Sequence, residues 1–171
     1  MSAIAADLGG SKTTLWSYFP NKQDLFAAVI DDMVDRYGEA LRLELPVEAD
    51  VAEVLTTMGI SILRTITKPQ IISLHRLVVG EAGRSSALGR MLWERGAGPG
   101  HERTANWLAL QMERGTLGKA DPAAAASHFV GLCQAGSFQR YLLGAIARPS
   151  PECLAADVAL AVQAFMRAYA P

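Results

Sequence analysis

The chain has 171 residues, half of them hydrophobic, 19% charged, and a net charge of −1. That balance excludes an intrinsically disordered chain, which combines low hydrophobicity with high net charge. It also excludes nucleic-acid binding through bulk charge, so any DNA contact has to come from a short local patch.

Cys133 and Cys153 are the two cysteines, and no Cys-x-x-Cys occurs. A disulfide framework or zinc site is not expected, and reduced thiols in the cytoplasm fit best. Met1–Asp7 has neither a basic start nor a long apolar stretch, so no secretory signal is read. No apolar run reaches the ~18 residues of a membrane span. Leu154–Met166 comes nearest and is interrupted by Asp157 and Gln163. We expect a cytoplasmic protein with no membrane partner, cofactor or metal.

From the N-terminus, residues 4–19 read as two short helices joined by a tight turn at Gly9-Gly10. Ala5 is small enough for a close crossing, Leu8, Leu15 and Phe19 are spaced to pack between the two, and Ser11 can cap the second. This is the pattern of a helix-turn-helix, whose second helix enters the major groove. Between Gly9 and Gln23 there are two lysines and no acids. Lys12, Thr13 and Thr14 can reach base edges or phosphate. Ser17 lies on the same exposed side, and Trp16 and Tyr18 can donate to the sugar-phosphate backbone. Lys22 stands beside the free amides of the next helix, a phosphate site. The other reading of the segment is an amphipathic hairpin, with one of the two rings Trp16 and Tyr18 in the core.

Prolines mark the later boundaries, because proline inside a helix costs about 3 kcal/mol. Asn21 can cap a long amphipathic helix to Leu45, with a stripe of Leu25, Val29, Met33, Tyr37 and Leu41. Further helices are expected over about Val47–Thr67, Pro69–Arg84, Leu88–Arg95 and His101–Arg114, with Gly96–Gly100 as a loop or hinge. Asp121-Pro122 and Ser150-Pro151 are cap-plus-proline starts for helices running to about Ala147 and Tyr169.

From Ala120 onward only Asp121, Arg140, Arg148, Glu152, Asp157 and Arg167 carry charge. Two such helices cannot both face water. Burial against a second copy of the chain is the simplest account, with Phe129, Leu132, Phe138, Tyr141, Leu142, Leu154, Val158, Val162 and Phe165 at a twofold interface. The other account is burial inside one subunit.

The segment Ile4-Ala5, Leu8-Gly9-Gly10-Ser11 and Leu15-Trp16-Ser17-Tyr18-Phe19-Pro20-Asn21-Lys22 resembles the DNA-binding signature of TetR-family transcriptional regulators. Gly10 stands where that family has an apolar residue, and Trp16 where it has tyrosine. The stretch Arg76–Ala82, with Gly115-Thr116-Leu117 and Asp121–Ala125, resembles the AefR-like ligand domain of the same family. In the family another helix precedes Ile4; here only Met1-Ser2-Ala3 does, so we expect a truncated or mis-started chain whose helix-turn-helix is incomplete.

The resemblance implies an all-α protein, with a helix-turn-helix and linker helix over 1–45 and a ligand-binding and dimerisation domain over 46–171. It implies a homodimer that binds palindromic operator DNA, is released by a small hydrophobic or amphipathic ligand, and acts as a repressor. For the pocket we expect Met58, Ile62, Leu74, His75, Val78, Met91, Trp107 and Gln111, closed by Phe129 and Cys133. A mostly apolar lining with few polar anchors suits such a ligand. His75 is the preferred polar anchor, or else a satisfied core histidine. An enzyme is not expected: His75, His101 and His128 are far apart, and neither a metal-ligand spacing nor a Gly-x-Ser-x-Gly elbow nor a phosphate loop occurs. The alternative function is a dimeric helical ligand-binding protein without DNA activity.

Overall fold

A computed structural model describes residues 17–171. Five of the expected DNA contacts (Ser11, Lys12, Thr13, Thr14 and Trp16) lie outside the described residues. No strand occurs among the described residues, and the fold is all-α.

Helix α1 spans Lys22–Tyr37. The Asn21 side-chain oxygen accepts from the Asp24 amide at 2.9 Å, and its amide nitrogen donates to the Asp24 carboxylate at 2.8 Å. This satisfies a donor that the first helical turn leaves orphaned. The helix ends well before the expected Leu45. Gly38 lies so close to the Val34 carbonyl that a Cβ would sit 2.3 Å from its oxygen. A separate turn, α2 (Glu39–Arg42), follows. Arg42 donates to the Asp35 carbonyl at 2.7 Å and Arg103 to that of Leu41. The buried face of α1 is centred on Phe26 and Ile30, and Val29 is 36% exposed.

Helix α3 (Val51–Ile66) starts later than Val47 because Asp50 caps it, accepting from the Glu53 amide at 2.9 Å. Helices α4 (Pro69–Glu81), α5 (Ser86–Leu92) and α6 (Gly98–Glu113) follow. The expected Gly96–Gly100 hinge is not a loop. Residues 93–97 form a π-helical turn that carries α5 into α6, with the Gly98 amide reaching the Trp93 carbonyl five residues back. Pro99 falls directly after this turn, in the first turn of α6. A Cβ on Gly98 would meet that same Trp93 oxygen at 2.9 Å.

Asp121 caps α7 (Pro122–Gln134), and Ser150 caps α9 (Pro151–Ala168). The helix expected from residue 122 to 147 is broken at Gly136, whose backbone leaves the helical region at φ −87°, ψ −119°, and where the Asp157 carboxylate of α9 occupies the space a Cβ would need. Asp157 accepts from the Ser137 amide at 2.9 Å and from its hydroxyl, starting the short α8 (Ser137–Leu142). Arg76 of α4 closes the other end of α8, donating to the carbonyls of Leu142 at 2.9 Å and Tyr141 at 2.5 Å.

Helices α3, α6, α7 and α9 enclose the main core, which includes Leu55, Leu63, Leu108, Phe129, Val158 and Phe165. Gly59 lets α3 approach the last two of these helices: a Cβ there would lie 2.8 Å from Val158 Cγ1 and 3.2 Å from Cys133 Sγ. The apolar stripe expected at a dimer interface is part of this core. Phe129, Val158 and Phe165 are 0% exposed, and Phe138, Leu154 and Val162 are also buried. Leu132, Tyr141 and Leu142 pack half-buried on the same cluster. The buried six have almost no surface left to cover with a second chain, because α3 and α6 already cover it.

Burial also decides the chemistry of Cys133. Its thiol is pushed up to about 12, first by burial and then by the nearby Asp157 carboxylate. Thiolate is the reactive form. With Cys153 replaced by serine, the folded protein should give no reaction with a disulfide reagent at about pH 8, and full reaction after denaturation. Stoichiometric labelling in plain buffer would contradict the packing of α7 against α3.

Candidate ligand cavity and the DNA-proximal helix

A cavity of about 180 Å³ lies between α1, α3, α4, α6 and α7. Its walls are mostly aliphatic. Six polar side chains line it: Tyr37, Thr65, His75, His101, Thr104 and Gln134. No Asp, Glu, Lys or Arg does so among the described residues. His75 is half-buried, with Nδ1 3.0 Å from the Ile71 carbonyl oxygen and its ring edge-on to Phe138. His101 repeats the arrangement, Nδ1 3.0 Å from the Ala97 oxygen and its ring against Trp93.

Of the residues expected in the pocket, Met58, Ile62, Leu74 and His75 line this cavity. The other six do not. Val78 and Met91 belong to a second, smaller core between α1, α4 and α5. Trp107 and Gln111 face the connector before α3: the Trp107 indole donates to the Pro46 carbonyl at 3.3 Å and the Gln111 amide to that of Val47 at 3.0 Å. Phe129 and Cys133 are wholly within the main core. Sequence reasoning missed the contribution of α1 through Ile30, Met33, Val34 and Tyr37, and that of α6 through His101 and Thr104. The apolar repeat containing Met33 and Tyr37 was the available signal.

The second core joins the cavity to α1. Phe26 and Ile30 pack on Leu74 and Val78, with Met33, Val34, Leu88 and Leu92 around them. Ile30, Met33, Val34, Leu74 and Leu92 also line the cavity. An ion pair between Asp31 and Arg95 adds a surface link from α1 to the π-turn. Immediately before α1, residues 17 and 18 are helical, Tyr18 is 76% exposed, and Lys22 is exposed at the first position of α1.

Residues 53–171 match the AefR-like transcriptional repressor C-terminal domain. The chain belongs to the TetR family of transcriptional regulators. Solved structures of the family share the fold. A candidate TetR-family regulator from Mesorhizobium loti is 25% identical, with a TM-score of 0.82 over 99% of this chain and 86% of that one. The flavonoid-responsive regulator FrrA is 28% identical, with a TM-score of 0.78 over 100% and 86%. A TetR regulator from Agrobacterium tumefaciens is 26% identical, with a TM-score of 0.74 over 99% and 82%. Among curated protein sequences none matches the chain. TetR regulators are generally non-enzymatic DNA-binding proteins. In this TetR-family chain, no helix among the described residues is long and apolar enough to cross a membrane.

Proposed function

We propose that this TetR-family chain is a cytoplasmic, homodimeric repressor that leaves palindromic operator DNA when a small hydrophobic or amphipathic molecule fills the cavity. The observation that carries the reading is the set of side chains shared by the cavity and the small core under α1, namely Ile30, Met33, Val34, Leu74 and Leu92. A molecule entering the cavity presses on the helix that follows the DNA-reading segment. Each dimer holds two reading heads about 34–36 Å apart, one turn of DNA, and a tilt of α1 changes that spacing. The shift requires the ligand to bind the two states unequally. FrrA is named for its response to flavonoids, which supports a cavity ligand with an aromatic ring. Trp16, Tyr18 and Lys22 serve as contacts to the sugar-phosphate backbone, Lys12, Thr13 and Thr14 as contacts to base edges or phosphate, with Ser11 capping the groove helix and Ser17 on its exposed side.

The experiment is a gel-shift titration on DNA selected by the protein from a random library, with neutral aromatic compounds as effectors. The free protein should shift its selected DNA, and at least one compound should release it. Ile62→Trp, which fills the cavity from α3, should keep the DNA shift and lose the release. Release that is equally sensitive in Ile62→Trp would place the effector elsewhere.

A further inference from the structure

A carbonyl oxygen only accepts, so the Nδ1 that faces Ile71 in His75 and the Nδ1 that faces Ala97 in His101 each carry the ring proton. With the ring proton on Nδ1, Nε2 is the acceptor nitrogen of the imidazole. Neither Nε2 has a protein partner, and no partnerless side-chain polar atom is fully buried among the described residues, so both keep open surface. The two threonines have also spent their protons. Thr65 donates to the Tyr37 carbonyl at 3.5 Å and Thr104 to the Gly100 carbonyl at 2.8 Å. Four of the six polar side chains lining the cavity therefore offer only lone pairs; Tyr37 and Gln134 can still donate.

We propose that the cavity selects a neutral ligand that donates hydrogen bonds from an apolar body, a phenol being the matching class. This rests on the cavity being the effector site. An anion or an ammonium would lose its hydration with no Asp, Glu, Lys or Arg in the lining to compensate. An ether or ketone of the same shape offers lone pairs to lone pairs and leaves the histidine acceptors unmatched. The volume of about 180 Å³ is somewhat larger than the ~150 Å³ apolar cavity that takes up benzene, which suits one substituted ring.

The test is calorimetric titration of the full 171-residue chain, without DNA, using 4-ethylphenol, 4-ethylanisole and 4-ethylbenzoate. The phenol should bind about tenfold more tightly than its methyl ether, the effect of one hydrogen bond, and the benzoate most weakly. In His75→Leu/His101→Leu, with folding checked by circular dichroism, phenol and ether should converge. Equal binding of phenol and ether by the unaltered chain, tightest binding of benzoate, or no binding of any of the three overturns the proposal. A preference for phenol that persists unchanged in the folded double variant does so as well. The unaltered chain decides the matter if the variant does not fold. Phenol binding without loss of the DNA shift removes the release reading and leaves this one standing; release by an anion alone does the reverse.

Discussion

Phe165→Ala should destabilise the subunit by about 3–5 kcal/mol, seen as a lower urea midpoint with little change in slope. Phe165 is 0% exposed. Its ring meets Phe129 edge-on at 5.5 Å and stacks on Tyr169 at 4.5 Å, so truncation removes aromatic contacts as well as buried area. The cavity left behind cannot collapse easily. Two turns away along α9, Gly59 already brings α3 against Val158, which limits how far the two helices can close together. Domains of this size have about 5–15 kcal/mol in total, and the loss is a large share of that. A change below about 1 kcal/mol would mean that α9 is not held as the structure shows.

Features set by local chemistry were legible in the sequence. Asn21, Asp121 and Ser150 cap helices because each cap is decided within three residues. The breaks at Gly38 and Gly136 were hidden for opposite reasons. Gly38 lies inside a strong helical pattern, and only its closeness to the Val34 carbonyl shows why no side chain fits. Gly136 is forced by Asp157, which is twenty-one positions away in sequence and in another helix. The cavity was half legible. Trp107 and Gln111 have the right chemistry for a pocket, but their polar atoms are used to hold the 43–50 connector. Which apolar side chains face a void and which face each other depends on how five helices sit together. Periodicity along one helix does not carry that information.

The same ambiguity was sharpest for the helices of the proposed dimer face. The last long helices are short of charge on both sides. One side, with Phe129, Val158 and Phe165, is subunit core. The other side is exposed: Gly131 on α7 and Ala135 at its C-terminal cap, and Ala156, Leu160 and Ala164 on α9, with Leu160 67% exposed. Small residues there allow close approach of a second copy, and an exposed apolar patch of this kind marks an interaction surface. Leu160→Glu/Ala164→Glu should therefore give a folded monomer. Sedimentation should read 18.3 kDa in place of twice that mass, with the helical signal intact because neither side chain supports the subunit core. Affinity for a palindromic operator should fall by about 10²–10⁴, since the second half-site contact ceases to be intramolecular. Affinity for a single half-site should barely change. A variant that still sediments as a dimer would move the interface off α7 and α9. A monomer that keeps full operator affinity would show that the two reading heads do not act as a linked pair.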